Sequence, residues 1–158
     1  MDITIRKAEA SDCAELLRLL KCIAGLHHAG RPDLFRPASS KYNEAELLDI
    51  LRNEKKPIFV AAEDAHHVCG YVFCIIKEFV GDPMLQDRRI LYIDDLCVDE
   101  ACRGQGLGKA LMDTVRNYAV QIGVESLELN VWNFNKSAAA FYEHLGFTVQ
   151  KSILELPL

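Results

Sequence analysis

Apolar residues follow helical spacing in the first third of the chain and extended spacing beyond Pro57. Residues 3–5 alternate apolar and polar side chains, which predicts a short strand. Asp12 and Asn43 each precede a run with apolar residues three and four apart, so each is predicted to cap a helix. Residues 26–41 are rich in proline and turn residues, and the sequence therefore predicts a loop between these two helices.

The rest of the chain alternates between strand-like runs and amphipathic helices. Its first two β-rich runs are separated only by Asp64 to His67, which predicts a hairpin. The elements predicted after Pro57 are strands at 58–62, 68–76 and 90–98, a helix ending at Gly123, a strand at 127–131, a helix capped by Asn135 and a closing strand at 147–156. The whole order, β-α-α-β-β-β-α-β-α-β, predicts a single α/β (α+β) domain over residues 1–158, with a mixed sheet and helices on both faces.

Composition and charge narrow the class of protein. The chain has 158 residues, of which 50% are hydrophobic and 26% charged, as in an ordinary single globular domain. Its net charge of −5 at pH 7 argues against nucleic-acid binding, which needs clustered lysine and arginine. The sequence contains no run of about 18 apolar residues, and its first residues lack the apolar core of a signal peptide. We therefore expect no membrane association and a cytoplasmic location.

Cysteine and histidine are frequent enough to raise the question of metal binding or disulfides. The chain has six cysteines but no C-x-x-C motif. Cys69 and Cys74 differ in parity along one predicted strand, so their side chains should face opposite ways. The histidine pairs 27–28 and 66–67 are adjacent residues, whose side chains diverge on a helix or a strand. The sequence therefore predicts buried, reduced thiols and no metal site.

A glycine-rich turn joins the third predicted strand of this region to the following helix. Its sequence is Arg103-Gly104-Gln105-Gly106-Leu107-Gly108. Alternating glycines leave backbone N–H groups open to a ligand, and the helix N-terminus favours negative charge, so the turn is a candidate phosphate site. The dinucleotide fingerprint would need glycine in place of Lys109, and the P-loop would need glycine at 103 and a hydroxyl at 110. Neither nucleotide-binding motif is therefore present.

Three segments, taken in order, resemble those of a known family. They are the strand from Ile90 to Val98, the turn at 103–108 in the form Q/R-x-x-G-x-G/A, and the segment from Asn135 through Phe141-Tyr142-Glu143-His144-Leu145-Gly146-Phe147. Together they resemble the GNAT superfamily of acetyl-CoA-dependent N-acetyltransferases. The resemblance implies a GNAT-like, mostly antiparallel sheet of six to seven strands. It is dense over about residues 90–148, the implied cofactor-binding core, and looser over about 11–56, which would supply the acceptor site.

The resemblance also implies where acetyl-CoA binds. The turn would hold the pyrophosphate, the strand would pair with the pantetheine arm, and the thioester would enter where that strand splays from the next parallel one. A backbone N–H near Val98 would stabilise the oxyanion, and Asn135 would contact the cofactor, cap its helix, or do both. The cofactor-binding residues implied are Leu96, Cys97, Val98, Arg103, Gly104, Gln105, Gly106, Leu107, Gly108, Lys109, Asn135 and Tyr142.

Catalysis by direct attack in a ternary complex requires a neutral amine and a proton for the leaving thiolate. Tyr142 matches the family tyrosine that commonly acts as this acid, although packing on an amphipathic helix is an alternative role. Asp94 and Asp95 are candidate bases, and as neighbours on a strand they should face opposite sides of the sheet. Each could instead pair with a basic side chain. Glu128 is a third candidate base, and Cys97 is more often a packing residue than an acylated nucleophile.

The acceptor is the least defined partner. A small amine, an amino acid, an aminoglycoside and a protein or peptide amine all remain open. Polar residues of the predicted loop either line the acceptor pocket or fix the loop, as Arg31 and Asp33 would by pairing; they are His27, His28, Arg31, Asp33, Phe35 and Arg36. A non-catalytic acyl-CoA-binding or sensing module and an adaptor are the competing hypotheses. The apolar segment 153–156 would leave a strand edge that a second copy could cover, as in a homodimer.

Overall fold

The computed structural model describes residues 2–37, 39–64 and 67–158, which form one mixed sheet with helices on both sides. The strands are β1 (Thr4–Lys7), β2 (Ile58–Ala62), β3 (Val68–Phe79), β4 (Arg88–Val98) and β5 (Ser126–Leu129). The helices are α1 (Cys13–Gly30), α2 (Glu44–Leu51), α3 (Leu107–Ile122) and α4 (Lys136–His144), with single 3₁₀ turns at Ala10–Asp12 and Glu100–Cys102. None of these helices is both long and apolar enough to cross a membrane.

The five strands lie in the order β1-β2-β3-β4-β5, and every neighbouring pair is antiparallel except β4 and β5, which are parallel. The β2–β3 pairing confirms the predicted hairpin, whose connection includes residues 65 and 66, outside the described residues. The predicted six to seven strands are not found within the described ranges. A mixed α/β fold with a mostly antiparallel sheet is nevertheless what the chain adopts.

The predicted closing strand at 147–156 is wrong. Residues 147–158 carry no strand pairing, and the apolar side chains after Phe147 are exposed: Ile153 is 90% and Leu154 92% exposed. Two consecutive apolar residues break the alternation that would bury one face of a strand and so fix its register. The tail instead contacts the end of α1 through an ion pair between Glu155 and Arg31.

The two faces of the sheet have separate cores. On one face, residues of α1 and α2 such as Leu16 and Leu47 pack against Tyr71 and other side chains of the sheet. On the other face, α3 packs through Leu111 and its neighbours against Leu91, and α4 lies beside it. The helices on both faces are therefore as predicted, and each buries an apolar stripe.

Helices α1 and α2 both begin where the sequence predicted, but α1 ends later than predicted. Asn43 caps α2 with a capping box, whereas the Asp12 carboxylate binds the Arg6 guanidinium and gives no cap to α1. Helix α1 continues through Gly25, whose surroundings are open, to Gly30. The histidines at 27 and 28 therefore lie in the last helical turn, and Pro32 follows where the helix cannot continue.

Candidate functional site

The glycine turn forms an open cradle of backbone N–H groups at the start of α3. Gly104 and Gly106 have φ angles of +79° and +76°, a conformation that favours glycine, and a Cβ on either would meet no atom within 4 Å. Among the described residues, the N–H groups of 104–109 have no hydrogen-bond acceptor, and the first bond after them runs from Ala110 N to Gly106 O. Such a set of free N–H groups at a helix N-terminus suits an anion.

The remaining side chains of the turn are held to its sides. Arg103 Nε donates to Val98 O at 3.3 Å, and Lys109 Nζ lies 2.6 Å from Asp113 Oδ2. A Cβ on Gly108 would lie 3.2 Å from the Phe141 ring, so glycine here lets α4 approach the turn. The cradle is therefore built from backbone, with a cation on either side of it.

The parallel pairing of β4 with β5 stops before β4 reaches this turn. Their parallel pairing ends at Ile93 and Leu129, while β4 continues to Val98. Over that last stretch β4 is paired on its β3 edge only, as in Val72 with Leu96. The edge toward β5 thus has no strand partner along Leu96, Cys97 and Val98, although Val98 O accepts from Arg103 Nε. A ligand with amide groups can pair with this edge as an added strand.

The expectation that Asp94 and Asp95 face opposite sides of the sheet is wrong. In the β3–β4 register, Phe73 pairs with Asp95 and Cys74 with Ile93, so Asp94 is an extra residue at a bulge. The bulge turns both carboxylates toward the α1/α2 face. The Tyr42 hydroxyl donates to Asp94 Oδ2 at 2.8 Å, and the Tyr71 hydroxyl donates to Asp95 Oδ2 at 3.0 Å.

The two carboxylates have different electrostatic environments. Asp94 Oδ2 also lies 2.9 Å from Lys41 Nζ, so Asp94 is ion-paired. Burial raises the pKa of Asp95 to about 6; the Asp94 charge adds to this rise, while Lys41 and the Tyr71 hydrogen bond oppose it. A carboxylate with this pKa is ionised at neutral pH and yet basic enough to take up a proton, so Asp95 is the better candidate base.

Tyr142 projects from α4 on the opposite side of the sheet and packs against Phe141 and Phe147, with ring centroids 5.2 and 5.6 Å away. Burial, followed by the charge of Asp95, raises the pKa of its hydroxyl above the ordinary value. That hydroxyl has no hydrogen-bond partner within the described part of the chain. Tyr142 is therefore a packed aromatic that also carries a protonated, unengaged hydroxyl within electrostatic reach of Asp95.

The other candidates are engaged elsewhere or are unreactive. Glu128 accepts a hydrogen bond from Arg88 and another from Gln150 at 3.3 Å, so it lies in an ion pair at the sheet edge. Burial raises the pKa of the Cys97 thiol to about 12, which disfavours the thiolate that a nucleophile needs. Asn135 Oδ1 accepts from Ala138 N at 3.2 Å, which confirms its capping role.

The loop after α1 is held by its own contacts. Arg31 forms ion pairs with Asp33 and with Glu155, each at 2.7 Å, so the pairing interpretation of Arg31 and Asp33 is correct. His28 Nδ1 lies 2.7 Å from Phe35 O, and His27 stacks on the Phe35 ring with centroids 5.0 Å apart. These residues fix the loop, and the side chain of Arg36 has no such contact within the described residues.

Sequence reasoning missed an aromatic cluster that joins the end of α1 to the connection between β5 and α4. The Phe35 ring meets Trp132 edge-on at 5.1 Å, and Trp132 stacks on Phe134 at 6.3 Å. Trp132 is 41% exposed, so this cluster presents an aromatic surface near the open end of β5. The close succession of Trp132 and Phe134 in a polar segment was the available signal. No pattern in the sequence pointed to Lys41 and Tyr42, which bind Asp94.

The comparisons with known proteins agree with this arrangement. The model of the Acetyltransferase (GNAT) family matches residues 23–147, and the chain belongs to that family. It is therefore an acetyltransferase, and its family generally uses acetyl-CoA as co-substrate.

Individual relatives and solved structures support the same family. The tetramutant of the BH1408 protein from Bacillus halodurans is 32% identical, with a TM-score of 0.92 over 98% of this chain and 99% of that one. The thialysine N-epsilon-acetyltransferase of Mus musculus is 26% identical over 90% of this chain and 82% of its own. Human N-acetyltransferase 8B is 38% identical over 56% of this chain, but the match spans only 37% of that protein's length.

Proposed function

We propose that this protein transfers an acetyl group from acetyl-CoA to a primary amine by direct attack in a ternary complex. The single observation that carries the proposal is the stretch of β4 that extends past its pairing with β5, beside the turn of free N–H groups. An extended acyl carrier with a pyrophosphate at one end and amides along its arm fits both features at once. A non-catalytic sensing module is not favoured.

The cofactor half of the site lies within residues 90–148. The N–H groups of residues 104–109 bind the pyrophosphate, and Leu96, Cys97 and Val98 pair through their backbone with the pantetheine arm. Val98 N–H or a neighbouring N–H stabilises the oxyanion. Asn135, whose Oδ1 is already used in capping, contacts the cofactor through its amide nitrogen.

The proton transfers are assigned to two residues on opposite faces of the sheet. Asp95, with a pKa raised to about 6, accepts the proton of the attacking amine through water. The amine nitrogen then bonds to the acetyl carbon as the carbon–sulfur bond breaks. The Tyr142 hydroxyl donates a proton or a hydrogen bond to the departing thiolate. Asp94, ion-paired with Lys41, positions the neighbouring carboxylate and adds negative charge where a cationic acceptor approaches.

The acceptor is proposed to be the primary amine of a small molecule. Support comes from the acidic pair and from the Trp132 aromatic surface, which together suit a cation with an apolar stem. The mouse relative named for acetyl transfer to the ε-nitrogen of thialysine is similar along 90% of this chain. A protein or peptide amine is the competing acceptor.

The test is release of coenzyme A from acetyl-CoA in the presence of a panel of amines: diamines, basic amino acids, aminoglycosides and peptides with free N-termini. Turnover with one small-amine group supports the proposal, and turnover with peptides alone would replace its acceptor. Tight acetyl-CoA binding without turnover on any amine would favour the sensing module. The Tyr142→Phe variant, with Tyr118→Phe as a matched control on α3, links any turnover to this site.

Two further assignments complete the proposal. The exposed apolar residues of the tail, including Ile153 and Leu154, and the unpaired edge of β5 suit a homodimer in which a second copy covers them. A monomeric mass by light scattering over the working concentration range would contradict it. All six cysteines are free thiols, which supports a reducing, cytoplasmic compartment that fractionation can check.

A further inference from the structure

Three potential metal ligands meet at one end of the sheet, outside the acetyl-transfer site. One ligand atom from each of His67, Cys69 and Cys102 lies within 4.8 Å of the other two. Cys69 is 1% and Cys102 7% exposed, whereas the His67 side chain is 42% exposed. The cluster thus has two buried sulfurs and an imidazole that opens to solvent, which is a route by which an ion can enter.

Backbone hydrogen bonds and a strand bulge bring these residues together. Between Ala61 and Ala62, the β2–β3 register skips Cys69, so this residue is the extra one at a bulge that redirects its side chain. Asp99 N donates to Cys69 O at 2.8 Å, and Cys102 N donates to Asp99 O at 2.9 Å. The two cysteines are far apart in the chain, which is why no ligand spacing appears in the sequence.

The histidine is oriented by a carboxylate. Its Nδ1 lies 3.4 Å from Glu15 Oε2, and Glu15 is itself held by Arg18 at 2.9 Å and by Val68 N at 3.3 Å. A carboxylate that orients a ligating imidazole is the usual second layer of a zinc site. Each member of this arrangement has a partner that fixes it, so the imidazole is positioned in advance.

Charges around the cluster favour a cation. The negative charges of Glu15, Glu63 and Asp99 interact electrostatically with His67 or Cys69. The positive charge of Arg18 is used in ion pairs with Glu15 and Asp99. The sulfurs lie against the apolar side chains of Ile3, Val98 and Leu107.

We propose that His67, Cys69 and Cys102 bind one thiophilic divalent cation of the zinc class. Two thiol protons leave as the ion binds, two sulfurs and one imidazole nitrogen become its ligands, and a water on the exposed side takes the fourth position. Because Cys102 directly precedes Arg103, the ion fixes the chain segment that enters the glycine turn. The site does not depend on which amine the enzyme acetylates.

The test is a titration of the full-length protein, first stripped with a chelator and kept reduced by a phosphine that leaves the metal free. Cobalt should bind at one equivalent with the near-ultraviolet absorption of a cobalt–thiolate bond, and zinc should displace it. Two protons should be released per ion, and zinc should raise the melting temperature. Cys69→Ser and Cys102→Ser should each abolish the thiolate band.

Matched variants keep the test decisive. Cys74→Ser removes an equally buried thiol from a separate hydrophobic cluster and should leave binding unchanged, and His67→Gln should weaken binding while circular dichroism confirms the fold. Equal loss of binding in Cys74→Ser would overturn the proposal. It would also be overturned if the reduced wild-type protein bound neither ion, including the case in which Cys69 and Cys102 form only a disulfide on mild oxidation.

Discussion

The proposed cofactor half and the proposed acceptor half of the site are built from different kinds of groups. The cofactor half consists of backbone groups: the N–H groups of 104–109 and the free edge of β4. The acceptor half consists of side chains that meet from distant segments, such as Tyr42 with Asp94 and Phe35 with Trp132. Substitutions in the first half should alter acetyl-CoA binding, and those in the second should alter catalysis or acceptor recognition.

The largest effect is expected for Asp95→Asn. Loss of a general base typically costs about 10²–10⁴-fold in rate, so kcat should fall by about 1,000-fold while the Kd for acetyl-CoA stays within about twofold. In the wild-type enzyme, kcat/KM should rise with pH through about 6, because Asp95 must lose its proton to act. Steady-state rates from pH 5 to 8 measure kcat and the pH dependence of kcat/KM, and Asp94→Asn, the same change at the neighbouring aspartate, is the control. An unchanged acid limb in Asp95→Asn would remove this residue as the base.

The next effect is expected for Tyr142→Phe. The substitution keeps the packed ring and removes the hydroxyl, so kcat should fall by about 100-fold with little change in acetyl-CoA affinity. Tyr118→Phe, on α3 with its ring against Phe59, is the control and should stay near wild-type. Turnover assays measure kcat, and calorimetry measures the Kd for acetyl-CoA. A loss of affinity without a loss of kcat would make Tyr142 a cofactor-packing residue only.

Gly106→Val tests the backbone cradle. Valine is strained in the left-handed backbone at φ +76°, and its side chain would occupy space that a ligand of the N–H groups needs, so the Kd for acetyl-CoA should rise by about 30-fold, equal to about 2 kcal/mol. Gly81→Val is a close control, because Gly81 has the same φ of +76° but lies in the loop between β3 and β4. Both variants should lose similar thermal stability. Equal acetyl-CoA affinity in the two would place the pyrophosphate elsewhere.

The last prediction concerns the free energy of unfolding and not the rate or the affinity for acetyl-CoA. The folded-state pKa of Asp95, about 6, lies above its ordinary value of 3.8, so the folded protein binds this proton more tightly than the unfolded chain. The contribution is fully present below pH 3.8 and is lost as pH rises through about 6, at most about 3 kcal/mol. Denaturant unfolding of wild type and Asp95→Asn should diverge across this range. Parallel curves would show that Asp95 titrates normally.

The sequence predicted the glycine turn and the helix after it better than the side-chain contacts of Asp94, for a physical reason. Glycines at 104 and 106 and the helix after them specify local backbone geometry, which short-range patterns record. The pairing of Tyr42 with Asp94 depends on a bulge, and a bulge leaves the local apolar pattern nearly unchanged. Helix α1 also continues through Gly25 to Gly30, where the sequence predicted a loop, since a single glycine weakens a helix without ending it.

The single extra residue in β4, Asp94, reverses the alternation of side chains between the two faces of the sheet for the rest of the strand. Before it, Leu91 and Ile93 belong to the core under α3; after it, Cys97, which has the same parity, belongs to the core under α1 and α2. Removing one residue there would return the strand to an unbroken two-residue rhythm. Every later side chain of β4 would then point to the other face of the sheet. The bulge at Asp94 therefore determines both the position of the acidic pair and the core into which each later residue of β4 packs.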